Sequence, residues 1–253
     1  MIWPSDHGGG CPQNVVIVQH YPGSAKQYVE AVPFPGRSFI IPDSCPDPDC
    51  RAVGCLIRWG TYERSARTGD VDYAILIQRV RCQVCGRTHS LLPDFLHPYR
   101  HYVIRLLQHG VSLYLIAGLG WNRLLDQLPA LGPARSTIRE WVASFGYGAG
   151  YLLLDLLTRR LLILDPWIQL PDATPASRLE RVLNLSRRQR LQRAHHFWLL
   201  AEQLYALAKA RQSRLHFAAQ QLFPFLLHWL QSQALSPRLF WSPALATTPT
   251  RPF

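Results

Sequence analysis

The chain has 253 residues, 48% of them hydrophobic, which excludes wholesale disorder and supplies a core without disulfide support. Only 17% are charged, against about 25% in an ordinary soluble domain, so part of the surface is expected to be covered by a partner or a second copy. Cations outnumber anions 27 to 16, a formal charge of +11; all but Lys26 and Lys209 are arginines, whose forks suit phosphate, and this balance points to nucleic acid or an anionic surface. A GC-rich genome that favours arginine codons is the plain alternative.

Residues 1–44 read as an N-terminal extension with short strands. Met1–Gly10 lacks a basic start followed by an apolar stretch, so no secretory leader is expected. Gly8–Gly10 reads as a flexible end and Cys11 as a free thiol.

Residues 45–98 carry the other five cysteines. Cys45-Pro-Asp-Pro-Asp-Cys50 and Cys82-Gln-Val-Cys85 are two close pairs. A thiol-rich chain without a leader points to metal rather than disulfides. Each pair on a tight turn would aim its sulfurs at one tetrahedral ion, and Gly86 suits the second turn. Between the pairs, Val71–Arg81 is rich in β-formers and Thr68-Gly69-Asp70 marks a turn. The expectation is a zinc ribbon holding one structural zinc on Cys45, Cys50, Cys82 and Cys85. The first pair is spaced more widely than the usual knuckle, so Cys55 or His89 could replace a ligand. Buried cysteines without a metal are the bland alternative. A four-thiolate site has no open position, which argues against catalytic zinc.

With Arg58-Trp-Gly-Thr-Tyr-Glu-Arg64 and Arg79-Val-Arg-Cys-Gln-Val-Cys-Gly-Arg-Thr-His-Ser-Leu-Leu-Pro-Asp-Phe-Leu-His-Pro-Tyr-Arg-His-Tyr102, this region resembles small bacterial zinc-ribbon proteins of unknown function associated with insertion-element transposases. The resemblance covers about residues 38–145. It implies a ribbon followed by a helix-turn-helix, a mobile-element or DNA-binding setting and the same four zinc ligands. It supplies no catalytic residue.

Residues 99–148 read as the helix-turn-helix. Pro93 and Pro98 keep a helix from starting before Tyr99, and Gly110 ends it near His109. Ser112 could cap a short helix, Leu113–Ala117. Trp121–Leu128 follows, then a turn through Pro129 and Gly132. Ser136 reads as the N-cap of Thr137–Phe145, with Ile138, Trp141, Val142 and Phe145 as its apolar stripe. Arg135, Thr137 and Arg139 would lie where a recognition helix meets DNA. A plain core helix is the competing reading.

Residues 149–235 read as a C-terminal helical domain. Gly146–Gly150 is expected to break the chain before a helix at Tyr151–Leu164, which Asp155, Arg159 and Arg160 make too polar to span a bilayer. A helix from Ser177 through Arg193 carries Arg178, Arg181, Arg187, Arg188, Arg190 and Arg193 against Glu180 alone, and these arginines are candidate phosphate contacts. Helices over Phe197–Arg214 and Leu215–Leu235 follow, with a kink at Pro224. Leu222–Leu230 is too short for the roughly 20 residues of a bilayer span. Residues 236–253, with four prolines, read as an extended or disordered tail.

The fold class expected is α+β, mostly α, with a small N-terminal zinc ribbon, a central helix-turn-helix and a C-terminal helical domain. The late acids, Asp126 to Glu202, lie in a helical region without the strand framework of a two-metal transposase core, and no phosphate-binding loop or nucleophile elbow occurs. A non-enzymatic, cytoplasmic binder of double-stranded DNA is therefore expected, an accessory or end-recognition factor with a transposase or other protein as possible partner. A protein-docking scaffold and an RNA-binding module are the alternatives.

Overall fold

The computed structural model describes residues 15–31, 33–98, 100–173, 186–211 and 221–233. Four strands, β1 Val16–Gln19, β2 Leu56–Arg67, β3 Asp72–Cys82 and β4 Thr88–Pro93, form one mixed sheet in the order β1-β4-β3-β2. The long arms β2 and β3 pair antiparallel from Leu56 opposite Cys82 to Arg67 opposite Asp72. Their turn is closed by the Thr68 N–H donating to the Val71 carbonyl at 3.0 Å. Gly69 in that turn has φ +96°, and a Cβ added there would lie 2.8 Å from Pro129 Cγ. Only glycine supplies both that backbone and that clearance. β4 pairs antiparallel with β3, and β1 joins β4 in parallel, Val18 opposite Leu92.

The helices among the described residues are α1 Ala25–Glu30, α2 Ile104–Leu115, α3 Trp121–Asp126, α4 Arg135–Leu164, α5 Arg187–Ala210 and α6 Leu222–Ser232, with a 3-10 turn at Pro35–Ser38. Ser24 and Gln27 form a capping box that starts α1, and Ser186 and Gln189 form another that starts α5. One core is built from the sheet and α1, with Tyr28, Ile75, Ile77, Leu91 and Leu92 buried in it. The other lies among α2, α4, α5 and α6, around Trp141, Phe145, Phe197 and Phe223. Strand alternation divides β1 between them: Ile17 enters the first core and Val18 the second.

The expected fold class is overturned. The chain does not form a small N-terminal zinc ribbon, a helix-turn-helix and a helical domain in series. Its sheet is central, and β1, from the segment read as an extension, is one of its strands. The far C-terminal α6 packs on that strand, where Gln231 accepts from the Val18 N–H at 2.6 Å and donates to the Val18 carbonyl at 3.2 Å. Local pattern carries no information about such long-range pairing.

Four boundaries differ, and at the glycines tertiary packing outweighs the local signal. α2 runs through Gly110 instead of stopping there. A Cβ at Gly110 would lie 3.5 Å from Trp141 Cζ3, so the small residue brings α2 close to α4. α4 is one 30-residue helix crossing Gly146–Gly150, and it begins after Ala134, which leaves Ser136 inside it. Each glycine costs about 1 kcal/mol in a helix interior, but Trp141 and Phe145 before them and Leu153, Leu157 and Leu161 after them are buried in one core. α5 continues through Phe197, where a new helix was expected. Pro224 falls in the first turn of α6, where its missing N–H breaks no intrahelical bond.

Candidate metal centre and basic surface

The four cysteines meet at the end of the β2–β3 hairpin. Cys82 ends β3 and is fully buried. The turn after it is tight: the Gly86 N–H donates to the Cys82 carbonyl at 2.9 Å, the Cys85 N–H to the Cys82 Sγ at 3.4 Å, and Gly86 has φ +72°. The first pair occupies a small hairpin in which the Cys45 N–H donates to the Ala52 carbonyl at 2.8 Å. Asp47 organises this wider loop. It is 1% exposed, its carboxylate accepts from the Asp49 N–H at 3.0 Å, and its carbonyl accepts from the Cys50 and Arg51 N–H groups, both at 3.1 Å. Arg87, just past the second pair, donates to the same carboxylate and so ties the two loops together.

Cys45 and Cys85 have sulfurs 3.8 Å apart, and those of Cys50 and Cys82 are 3.7 Å apart. A tetrahedron with metal–sulfur bonds of about 2.3 Å has edges of about 3.8 Å, whereas a disulfide measures about 2.05 Å. The four sulfurs lie within 4.8 Å of one another, so this set can hold a metal ion. The amides of Cys85 and Val84 and the nearby Cys55 thiol hold Cys82 down at about 6, outweighing burial. Burial pushes the Cys45 and Cys85 thiols up. Cys55 and His89 are neighbours of this set. Cys55 Sγ lies 3.3 Å from Cys82 and donates to the Ala52 carbonyl at 3.0 Å, while His89 Nε2 lies 3.5 Å from Cys45 Sγ. Cys11 is outside the described residues.

The candidate DNA-contacting residues divide by exposure. Arg135 and Arg139 are exposed on the first turns of α4 and Thr137 is half-buried. Arg187 and Arg188 are exposed at the start of α5 and Arg190 is half-buried. Arg193 is a correction: it is 0% exposed, so it faces the interior and cannot reach a phosphate. Burial lowers its affinity for its proton. The helical turn from Arg190 to Arg193 points inward because the next positions, Ala194, Phe197 and Trp198, belong to the core. Arg178 and Arg181 lie outside the described residues, as do the expected start of their helix at Ser177 and the tail 236–253.

Two aromatics that sequence reading left out join the exposed arginines. Arg187 donates to the Tyr114 hydroxyl at 3.1 Å. Tyr114 stacks on Trp121, with ring centroids 4.5 Å apart and an interplanar angle of 22°. The Arg135 guanidinium lies over Trp121, 5.4 Å from the ring centroid. Arg123 and Arg135 line an open depression of about 490 Å³ beside Trp121. Glu140, the acid of this turn, is engaged by Arg100 at 2.6 Å.

A second cluster was also missed. His20 Nδ1 and His228 Nε2 lie 2.8 and 3.0 Å from the same oxygen, Asp94 Oδ2. No motif could reveal residues separated by 74 and 134 positions. Burial pushes the Asp94 carboxyl up, but hydrogen bonds from His228, His20 and the Tyr21 amide outweigh it and hold it below the usual range.

Residues 47–114 match a family model described as "Domain of unknown function (DUF6431)". The match begins after Cys45 and ends within α2, so it covers three of the four cysteines and the whole β2–β4 unit. No curated protein and no solved structure matches the chain. No helix among the described residues is long and apolar enough to cross a membrane.

Proposed function

We propose that this chain binds double-stranded DNA through the surface formed by the starts of α4 and α5, and that its four-cysteine centre holds one structural zinc. The observation that carries the DNA reading is the unbroken path from Arg187 through Tyr114 and Trp121 to Arg135. It combines cations suited to phosphate with aromatic surface, on a chain whose formal charge is +11. Zinc is supported by the donor set, since four thiolates with tetrahedral spacing favour it among biological divalent ions. Reduced thiols fit a cytoplasmic setting. The role as an accessory or end-recognition factor of a mobile element, beside a transposase, is supported by the resemblance of residues 38–145 alone.

One observation favours a second reading, docking on another protein within a nucleoprotein complex. Val53 and Val84, both on the cysteine-bearing loops, are 80% and 71% exposed. Salt titration separates the two. Among the described residues, Arg123 on α3, Arg135 and Arg139 at the start of α4, and Arg187 and Arg188 at the start of α5 are exposed. Each phosphate contact adds about 0.9 to the log–log salt slope, so all five predict a slope of about 4.5. Replacing Arg135, Arg187 and Arg188 with Ala should lower it by about 2.7. Absence of duplex affinity in the zinc-loaded protein sinks the DNA reading, and preference for structured RNA replaces it with the RNA alternative.

A further inference from the structure

The strongest feature outside the cysteine centre and the basic surface is the His20, Asp94 and His228 cluster. These residues follow β1, follow β4 and lie on α6, respectively. Thr88, at the start of β4, pairs with Arg81 next to Cys82. Asp94 follows the other end of β4, so the cluster and the cysteines lie at opposite ends of that strand.

We propose that His20, Asp94 and His228 form a second metal site, for a divalent transition ion of the zinc and cobalt type. Two imidazoles and one carboxylate are the donor chemistry such ions take. The ligand atoms lie within 4.8 Å of one another. The arrangement exceeds what a structural hydrogen bond needs, because both imidazoles aim at one oxygen of one carboxylate. The other oxygen, Oδ1, accepts from the Tyr21 N–H at 3.2 Å.

The set is also held in place. The Asp94 N–H donates to the Gln19 carbonyl at 2.8 Å, which fixes the carboxylate against the end of β1. His228 is one helical turn before Gln231, whose amide grips the Val18 backbone. Side-chain exposure rises from 7% at Asp94 through 17% at His228 to 33% at His20. His20 and Asp94 line a cleft of about 970 Å³ whose walls include Ser112, His109, Asp70 and Asp126. Three protein ligands would leave a fourth position, and two of the three, His20 and Asp94, line the cleft. This is the coordination pattern of an open site, in contrast to the closed four-thiolate set.

The test uses the full chain loaded with cobalt, whose thiolate charge-transfer absorption separates the two sites. Elemental analysis should find two equivalents per chain, only one of them reporting sulfur ligation. His20→Gln and His228→Gln keep a hydrogen-bonding side chain but lose the imidazole. Each should lose one equivalent with the sulfur signal unchanged. A wild-type chain that binds a single, thiolate-ligated cobalt overturns the proposal. So does a His20→Gln/His228→Gln double variant that still holds two. The wild-type count needs no variant to fold, and the sulfur signal reports separately on the cysteine centre.

Discussion

The Asp47–Arg87 pair supports an asymmetric prediction. The two side chains differ sharply in exposure, 1% for Asp47 and 37% for Arg87. Arg87→Ala strands a buried carboxylate that keeps, among the described residues, only the Asp49 amide at 3.0 Å. Breaking a buried pair in this way costs about 3–5 kcal/mol. Asp47→Ala instead leaves a guanidinium that already reaches water and an exposed loop amide, so its cost is about 1–2 kcal/mol. The double variant should resemble Asp47→Ala, since removing the carboxylate removes the reason for the arginine. Because the pair joins both cysteine loops, folding and metal binding are linked there. A loss of 3 kcal/mol corresponds to about 100-fold weaker metal binding. Urea denaturation of the metal-loaded variants and competition with a chelator read the two quantities. If Asp47→Ala proves as costly as Arg87→Ala, the burial argument is wrong.

Trp141→Ala should destabilise the helical core by about 3–5 kcal/mol, because Trp141 is 1% exposed, packs edge-on to Tyr102 at 5.2 Å and contacts α2 at Gly110; calorimetry checks this. Gly69→Val combines a positive φ with a clash against Pro129 and should lower the melting temperature, whereas Gly120→Ala, with open space around its Cβ, should change it little. His97 is fully enclosed, and burial holds its pKa down to about 3. The unfolded chain therefore binds the extra proton between about pH 6.5 and pH 3, so stability falls as pH drops through that window, by up to about 1.4 kcal/mol per unit. A His97→Gln variant with an unchanged pH–stability slope would refute this assignment.

The cysteine centre was legible because its chemistry is local: two close pairs, a glycine and intervening β-formers. The loop wrapped around Asp47 was less legible, since a carboxylate that orders its own backbone and receives an arginine from 40 residues away leaves no periodic trace. Arg193 was misread for a related reason. A run of arginines looks like a solvated or ligand-binding face, but its inward residue is decided by the helix's rotation against Phe145 and Phe223, which composition does not reveal. The Gly146–Gly150 break failed because buried leucines beyond it outweigh glycine's modest helical penalty. The histidine cluster was invisible because its members come from three segments that only the completed fold brings together.

The contact between Gln231 and Val18 has a consequence for solubility. β1 is the outermost strand on its side of the sheet, so its free backbone groups could template pairing with another molecule. The Gln231 carboxamide meets both the N–H and the carbonyl of Val18, taking the place of a neighbouring strand for one residue. α6 thus acts as an edge guard as well as a core helix. A chain ending before residue 221 should expose Val18 together with that edge, and light scattering should report self-association before any loss of the β2–β3 hairpin. If the shortened chain stays monodisperse, the edge is protected by something other than Gln231.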